Sequence, residues 1–170
     1  MLIQQNLDGS NFFNRSWAEF KVGFNNTFGH YWIGNDLLSQ LTLSGRYKLR
    51  FDLQARHNRW YWAEYSRFFV SDESHNYQLQ VSGFSGNINS DAFGYHDEMM
   101  FTTYDRDNDQ WDGRGYNTSN CAVYNGGGFW HKSCSRCNVN TVPGRGEDFI
   151  WWASRFSVVL LQTSRMWLMC

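Results

Sequence analysis

Apolar residues first recur at helical spacing just after residues 1–11, a segment that carries no strong pattern. Ser16 and Glu19 form a capping box, which is typical of the start of a helix. The helix that follows would carry its apolar side chains on one face, at Trp17, Phe20 and Phe24. The pattern predicts a short amphipathic helix whose apolar face packs against a core.

A second helix is predicted to begin near Asn35-Asp36 and to end before Gly45. Its apolar positions are Leu37, Leu38 and Leu41. This stripe also favours a core face over a binding surface.

Alternating apolar and polar residues predict a half-buried strand from Tyr47 to Leu53. Further short strands with polar turns between them are predicted at Trp60–Tyr65, Phe68–Val70 and Tyr77–Phe84. Such hairpin connections are typical of an antiparallel sheet. Near Val158 the chain turns apolar again, through Val159, Leu160 and Leu161 to Met166, and this run suits a strand that is buried on both faces.

Beyond Gly83 the chain becomes rich in Gly, Asn, Ser and Asp, with little periodicity. Long irregular segments inside a compact domain are usually functional, or they are held by cross-links or ions. Short helices, an antiparallel sheet and a loop-rich region together predict an α+β fold.

Composition narrows the class of protein. The 170 residues are treated as one domain, residues 1–170, long enough to bury a sizeable core. Aromatic residues make up 19% of the chain, including nine Trp, which suggests a loop-heavy extracellular fold or a surface that stacks ligands. A formal net charge of −1 gives no reason to expect nucleic acid or an anionic membrane as a partner.

An acidic run between Asp105 and Gly113 is the first candidate for chemistry. Carboxylates at alternate positions bring several hard oxygen ligands towards one point, which suits Ca²⁺. The run is not an EF-hand, because Gln110 and Tyr116 stand where that loop needs Gly and a bidentate Glu. A loop that curls around the ion would instead bind it through two carboxylates, those of Asp107 and Asp109. The backbone carbonyls of Trp111 and Gly113 would complete this set of ligands. The alternative is an ordinary solvated turn.

Four cysteines are compatible with two disulfides or with a metal site. Cys134 and Cys137 form a Cys-x-x-Cys pair, with His131 just before it and Cys121 upstream, so zinc competes with the disulfide interpretation.

No catalytic constellation emerges from the sequence. The histidines are scattered, and no Ser stands in a Gly-x-Ser-x-Gly elbow. The clustered carboxylates near Asp105 are better explained as ion ligands than as an acid/base pair. We therefore expect no enzyme.

The order of several motifs resembles the fibrinogen-related domain family, which includes fibrinogen C-terminal globules, ficolins, tachylectins, angiopoietins and tenascin tips. The resemblance covers most of residues 5–140. The motifs that carry it are Tyr31-Trp32-Ile33-Gly34-Asn35-Asp36, Gly45-Arg46-Tyr47-Lys48-Leu49-Arg50, Tyr104-Asp105-Arg106-Asp107-Asn108-Asp109, Asn120-Cys121-Ala122, Phe129-Trp130 and Cys134.

The resemblance implies a fold and a set of sites. The fold would be a twisted antiparallel sheet with short helices and a loop-rich subdomain for calcium and ligand, and the last strand would return to the middle of the sheet. Ca²⁺ would be bound at the positions matching Asp107, Asp109, Trp111 and Gly113. Cys121 would pair with Cys134, leaving Cys137 and Cys170 as mutual partners, free thiols or links to another chain.

In the lectin-like members an acetyl group is held beside the calcium loop. Backbone N–H groups around a cis peptide donate to its carbonyl, and the matching peptide is Ser133–Cys134. The implied ligand-binding positions are Tyr124, Asn125, Phe129, Trp130, Ser133, Cys134 and Ser135.

The chain departs from the family pattern at several places. Ser135 replaces the usual His, an insertion spans Arg114 to Ser119, and the passage from Val139 to Phe149 is much shorter than in the family. The module's opening segment, with its early disulfide, is absent, so the fragment is expected to open inside the module.

Two functions fit these expectations. The first is a secreted innate-immune lectin for acetylated carbohydrates such as N-acetylglucosamine, made multimeric by regions outside this chain. The second is an extracellular matrix or growth-factor-type module that binds a cell-surface protein receptor. Candidate glycosylation sequons that accord with secretion begin at Asn14, Asn25 and Asn117.

Overall fold

The computed structural model describes residues 1–154 and 157–170. Its helices are α1 (Trp17–Val22), α2 (Asn35–Thr42) and α3 (Cys121–Asn125), and its 3₁₀ turns are Asn11–Phe13, Glu73–His75 and Phe93–His96. Its strands are β1 (Leu2–Asn6), β2 (Phe24–Asn25), β3 (Tyr31–Trp32), β4 (Lys48–Ala55), β5 (Trp60–Val70), β6 (Leu79–Gly86), β7 (Cys137–Asn138), β8 (Ile150–Ser154) and β9 (Ser157–Met169).

The strands form an antiparallel sheet in the order β2-β3-β1-β9-β4-β5-β6, and the helices are short. The last strand, β9, lies between β1 and β4 in the middle of the sheet, as predicted. At its other end β9 pairs with β8, which in turn pairs with β7. The predicted α+β fold is confirmed.

The sequence pattern predicted neither strand β1 nor the short strands β2, β3, β7 and β8. Strand β1 is central, although Gln4 and Asn6 are fully buried polar residues that hide any apolar alternation. The Gln4 amide donates to the carbonyl of Val139 at 3.1 Å and to Ser164 Oγ at 3.0 Å. These hydrogen bonds replace the water that the buried amide groups lose on folding.

The first predicted helix starts where its capping box indicated. The backbone N–H of Glu19 donates to Ser16 Oγ at 3.3 Å, and Glu19 Oε2 accepts from the backbone N–H of Ser16 at 2.9 Å. The helix ends at Val22 and is followed by Gly23, whose φ is +91°, so Phe24 belongs to β2 rather than to the helix. Its ring still packs edge-on against Phe20 at 4.9 Å.

Three apolar positions that were predicted to be buried are partly exposed. Leu38 of α2 is buried, but Leu37 is 44% exposed because its position lies outside the face that Asn35, Leu38 and Thr42 bury. Val158 and Leu160 of β9 are each 39% exposed, so the run is not buried on both faces. This end of β9 has left the main sheet to pair only with β8 near these positions.

Predicted strands elsewhere were confirmed with adjusted limits. The alternation in β4 is observed, with Leu49, Phe51 and Leu53 fully buried. Two predicted strands merge into the single long strand β5. Among the helices of the described residues, none combines the length and apolar character that a membrane crossing requires.

Candidate functional site: the acidic loop and the cystine-bridged pocket

The acidic loop, residues 105–113, begins with a carboxylate that has a structural role. Asp105 Oδ1 accepts from the backbone N–H of Trp17 at 2.9 Å and from Thr103 Oγ1 at 2.7 Å. Arg106 lies over the Trp17 ring, 4.0 Å from its centroid. These contacts attach the loop to the first turn of α1.

Asp109 ties the acidic loop to α3. Its Oδ1 accepts from the N–H of Trp111 at 2.9 Å, and its Oδ2 accepts from the N–H of Cys121 at 2.8 Å. Burial raises the pKa of Asp109 to about 6, and the neighbouring Asp107 carboxylate pushes it in the same direction, although the two N–H groups oppose the rise. A cation beside the two carboxylates would remove this penalty on their charge.

The loop offers the type of donor that Ca²⁺ prefers. Asp107 is exposed and Asp109 is half-buried, so a cation could reach both carboxylates from solvent. Gly113 has φ of +63°, and a Cβ there would lie 2.3 Å from the Thr118 carbonyl oxygen. Among residues 1–154 and 157–170, no cluster of three or more His, Cys, Asp or Glu side chains is placed to hold a metal. A calcium ion would therefore need carbonyls, such as those of Trp111 and Gly113, and water to complete its ligands.

The inserted residues 114–119 pack back onto the site. Tyr116 lies 5.0 Å from Trp111 and 5.2 Å from Tyr124, and Trp111 lies 5.1 Å from Tyr124, measured between ring centroids. The comparison with the family pattern identified the insertion but could not predict this contact. The contact joins the acidic loop and α3 through one aromatic cluster.

A disulfide and a cis peptide shape the neighbouring surface. Cys121 at the start of α3 is bonded to Cys134, and the Ser133–Cys134 peptide is cis. Within the described structure Cys137 is a buried free thiol and Cys170 is an exposed one, so these two are not partners. With Cys121 and Cys134 already bonded, a zinc site of these cysteines does not form.

Two buried histidines hold the pocket loop, residues 131–137. The backbone N–H groups of Arg136 and Cys137 donate to His96 Nε2 at 3.2 and 3.1 Å, while His96 Nδ1 lies 2.8 Å from the Trp130 carbonyl. His131 Nδ1 lies 2.7 Å from Ser135 Oγ. Each ring has a donor on one side and an acceptor on the other, which is the hydrogen bonding of a neutral imidazole.

Burial fixes this neutral state. It lowers the pKa of His96 to about 3 and that of His131 to about 4, because a charged ring would be desolvated there. Both histidines therefore act as structural supports of the pocket loop.

A cavity of about 340 Å³ opens beside the pocket loop. Its walls include two aromatic side chains, two hydroxyl side chains, a cation and a carboxylate, namely Tyr95, Trp152, Ser133, Ser135, Arg136 and Glu147. The Arg136 guanidinium lies 4.6 Å from the centroid of the Tyr95 ring. The cavity can therefore offer stacking, hydrogen bonds and charge to one small ligand.

The structure brings together only some of the predicted ligand-binding residues. Ser133 and Ser135 line the cavity, and Cys134 and Asn125 are buried. Tyr124 packs with Trp111 and Tyr116 and is not part of the cavity lining. Phe129 and Trp130 have no exposed surface and belong to the core, where they support the pocket from behind rather than facing a ligand. Of the sequon asparagines, Asn25 and Asn117 are exposed and Asn14 is half-buried.

Sequence reasoning missed Tyr95, Arg136, Glu147 and Trp152. Arg136 follows the second cystine residue closely and could have been included on that ground. Glu147 and Trp152 lie in the shortened passage and just beyond it, where the family pattern offers no counterpart, so only the folded chain shows their position.

Comparisons with known proteins agree with this architecture. The family model for the C-terminal globular domain of fibrinogen beta and gamma chains matches residues 1–159. Human ficolin-3 is 38% identical over 140 residues, which cover 82% of this chain and 45% of ficolin-3. Human angiopoietin-related protein 2 is 38% identical over 159 residues, which cover 89% of this chain and 31% of that protein. Rat fibrinogen alpha chain is 36% identical, and 24% of its length is covered.

Solved structures give the same result. The fibrinogen-like globe domain of human ANGPTL2 superposes with a TM-score of 0.85 at 35% identity, covering 99% of this chain and 78% of that one. Lamprey fibrin D-dimer in complex with the peptide Gly-His-Arg-Pro-amide superposes with a TM-score of 0.79 at 29% identity, covering 98% and 60%. This chain spans less than half of each full-length relative named above. The chain belongs to the fibrinogen C-terminal globular domain family, whose members are non-enzymatic recognition and structural modules.

Proposed function

We propose that this domain is a secreted recognition module that uses the cavity at Ser133–Cys134 to bind acetylated carbohydrates such as N-acetylglucosamine, with Ca²⁺ bound next to it. The observation that carries the proposal is the cavity itself. Its volume of about 340 Å³ falls in the range of small-ligand sites, and its lining combines aromatic walls with a few convergent polar groups.

The chemistry of the cavity suits a sugar that carries an acetyl group. The Tyr95 and Trp152 side chains offer apolar faces to a pyranose ring or a methyl group. Ser133 provides a hydroxyl that can donate to or accept from a sugar hydroxyl. The Ser135 hydroxyl donates its proton to His131 Nδ1 and can still accept from a sugar hydroxyl. The similarity to ficolin-3, a relative of lectin type, favours this class of ligand.

Calcium is the second part of the proposal, with Asp107, Asp109, Trp111 and Gly113 as its ligands. Fibrinogen C-terminal domains often bind calcium. Asp109 also accepts from the N–H of Cys121, the first residue of the disulfide. A bound ion would fix Asp109 and, through Cys121 and Cys134, the edge of the cavity.

Affinity chromatography tests both parts. We expect retention on an N-acetylglucosamine resin in Ca²⁺ and release by free acetate or by EDTA. Asp107→Asn should lose most of the retention, and added Ca²⁺ should not restore it. Asp112→Asn, in the same loop but outside the proposed ligand set, is the matched control and should behave as the wild type. Retention that is indifferent to EDTA and to Asp107→Asn would contradict the calcium part.

The alternative is a matrix or growth-factor-type module that binds a protein receptor. Its support is the close superposition with the ANGPTL2 globe and the identity with angiopoietin-related protein 2. Under this alternative the resin does not retain the domain, and tight binding to a cell-surface protein is observed instead. Multimerisation would come from regions outside this chain under either function.

A further inference from the structure

Two cations of the pocket loop meet at one aromatic ring of the cavity wall. The Lys132 Nζ lies 5.1 Å from the centroid of the Tyr95 ring, and the guanidinium carbon of Arg136 lies 4.6 Å from the same centroid. Tyr95 and Arg136 both line the cavity. Like charges that share one ring repel each other, and an anion placed near both of them would relieve that repulsion.

The backbone of the pocket loop holds both cationic residues in place. The N–H of Lys132 donates to the Cys134 carbonyl at 2.7 Å. The N–H of Arg136 donates to His96 Nε2 at 3.2 Å. The two side chains therefore leave the loop from hydrogen-bonded positions on either side of the cis peptide Ser133–Cys134.

Neither cation is neutralised by a carboxylate of the protein. Within residues 1–154 and 157–170, no ion pair joins Lys132 or Arg136 to an acidic side chain. By contrast, Arg50 on the sheet bonds to the carboxylates of Asp52 and Glu64, at 2.9 and 2.7 Å. The positive charge of the pocket loop is therefore balanced by solvent and salt, and it is available to a ligand.

The carboxylate that lines the cavity, Glu147, has a different neighbour. Its Oε2 lies 3.5 Å from Asn125 Nδ2, and its backbone N–H donates to Asn125 Oδ1 at 2.8 Å. In the part of the chain that the structure describes, it forms no ion pair with Arg136, although both residues line the cavity. The cavity therefore has a cationic side at Tyr95 and an acidic side at Asn125.

We propose that Arg136 and Lys132 are specificity-determining residues of the cavity, and that they select acetylated sugars that also carry a carboxylate or a sulfate over neutral ones. The proposal rests on the proposed function, because it names the class of sugar that the same site would bind. The anion would lie beside Tyr95, within reach of both cations. Hydrogen bonds between ionised partners are about twice as strong as neutral ones, so this contact would favour the acidic sugar.

The test compares ligands that differ in one group. N-acetylglucosamine is the neutral reference, while N-acetylglucosamine-6-sulfate and N-acetylmuramic acid add an anion at different positions of the same ring. Glucose-6-sulfate carries the anion without the acetyl group. Dissociation constants are measured by ¹⁵N chemical-shift titration at an ionic strength of about 0.01 M and again at about 1 M, where the Debye lengths are about 30 and 3 Å.

The variants each remove one positive charge. Arg136→Gln and Lys132→Gln change the proposed residues. Arg59→Gln is the matched control, because the Arg59 guanidinium lies 5.1 Å from the centroid of the Tyr61 ring, at an exposed position outside the cavity lining. The readout is the affinity for an acidic sugar divided by that for N-acetylglucosamine within each variant, so that a general loss of binding cancels.

We expect the better of the two acidic acetylated sugars to bind the wild type about tenfold more tightly than N-acetylglucosamine at low ionic strength. The advantage should shrink to less than about twofold at high ionic strength, because salt screens charges near the surface. Arg136→Gln and Lys132→Gln should each reduce the ratio at least about threefold. Arg59→Gln should keep the wild-type ratio.

Equal affinities for the acidic and neutral acetylated sugars in the wild type would overturn the proposal. A ratio that one of the two variants leaves at the wild-type value would overturn the assignment of that residue. If glucose-6-sulfate binds as tightly as N-acetylglucosamine-6-sulfate and depends on Arg136 in the same way, the role of the cations stands and the proposed acetyl-binding function is contradicted. The two failures are therefore distinguishable.

Discussion

At the scale of single residues, the pocket depends on two imidazoles that must stay neutral. His96 accepts from two backbone N–H groups of the pocket loop, and a proton on its Nε2 would leave both without an acceptor. His131 accepts from Ser135 in the same way. The pocket loop is therefore held by side chains that, in the unfolded chain, have the ordinary histidine pKa of about 6.5.

This arrangement predicts acid destabilisation. Because the folded pKa values of His96 and His131 are lowered to about 3 and about 4, their stabilising effect is complete above pH 6.5 and is lost as the pH falls towards 4. We expect each histidine to reduce the free energy of unfolding by about 2 kcal/mol at pH 5. Urea unfolding at several pH values measures this change.

The control for that experiment is an exposed histidine. His131→Gln retains a donor and an acceptor but does not titrate, so it should flatten the slope between pH 6.5 and 5. His57→Gln, on an exposed turn, should leave the slope unchanged. An identical slope in all three proteins would contradict the neutral-imidazole account.

Single residues also show what the sequence could and could not establish. Ser16 and Glu19 form the capping box that their spacing predicted, because that interaction is local. The family resemblance pointed to Ser133–Cys134. The position of Glu147 could not be predicted, since it depends on how a shortened segment folds over α3.

At the scale of elements, the acidic loop depends on glycine for space as well as for its backbone angle. Gly113 and Gly115 both have positive φ, +63° and +81°. A Cβ at Gly113 would meet the Thr118 carbonyl oxygen at 2.3 Å, whereas one at Gly115 would meet nothing within 4 Å. The two positions form a matched pair that differs in free space.

We therefore expect Gly115→Ala to cost about 1 kcal/mol of unfolding free energy, from the backbone angle alone. Gly113→Ala should cost at least about 1 kcal/mol more and should weaken calcium binding. Denaturant unfolding with and without Ca²⁺ measures both effects. Equal costs for the two variants would contradict the packing described for this loop.

The polar strand β1 gives a second prediction at this scale. Gln4→Leu should cost about 2–3 kcal/mol, because it removes a buried amide that donates to the Val139 carbonyl, to Asn140 Oδ1 and to Ser164 Oγ. Gln162→Leu, at an exposed position of β9, is the control and should change stability by less than about 0.5 kcal/mol. Thermal unfolding would show whether the two substitutions differ as expected.

The strands also explain where pattern reading fails. The alternation of β4 was readable because one of its faces is buried and the other is not. Strand β1 was not readable, since its inward positions hold amides that pair with distant segments. The apolar run of β9 was misread because apolar residues continue where the strand leaves the main sheet.

At the scale of the whole molecule, Asp109 and the disulfide connect the acidic loop to the pocket loop. Asp109 connects the acidic loop to Cys121, and the disulfide continues that connection to Cys134 at the cavity. A substitution or a bound ion in the acidic loop should therefore also affect the conformation of the pocket loop.

Calcium should stabilise the whole domain as a result. At a Ca²⁺ concentration about 100 times the dissociation constant, the free energy of unfolding should rise by about 2.7 kcal/mol, which corresponds to an increase in melting temperature of several degrees. Asp107→Asn should lose this increase and Asp112→Asn should keep it. A melting temperature that Ca²⁺ leaves unchanged in the wild type would contradict the proposed ion site.

The most direct test of the proposed function is chemical-shift mapping of the wild-type domain with N-acetylglucosamine in Ca²⁺. We predict saturable shifts that are confined to Ser133–Arg136, Asn125 and the side chains of the cavity wall, with a dissociation constant of about 1 mM for a single weak site. Shifts that map elsewhere on the domain, or none at these residues at saturating sugar, would contradict the account.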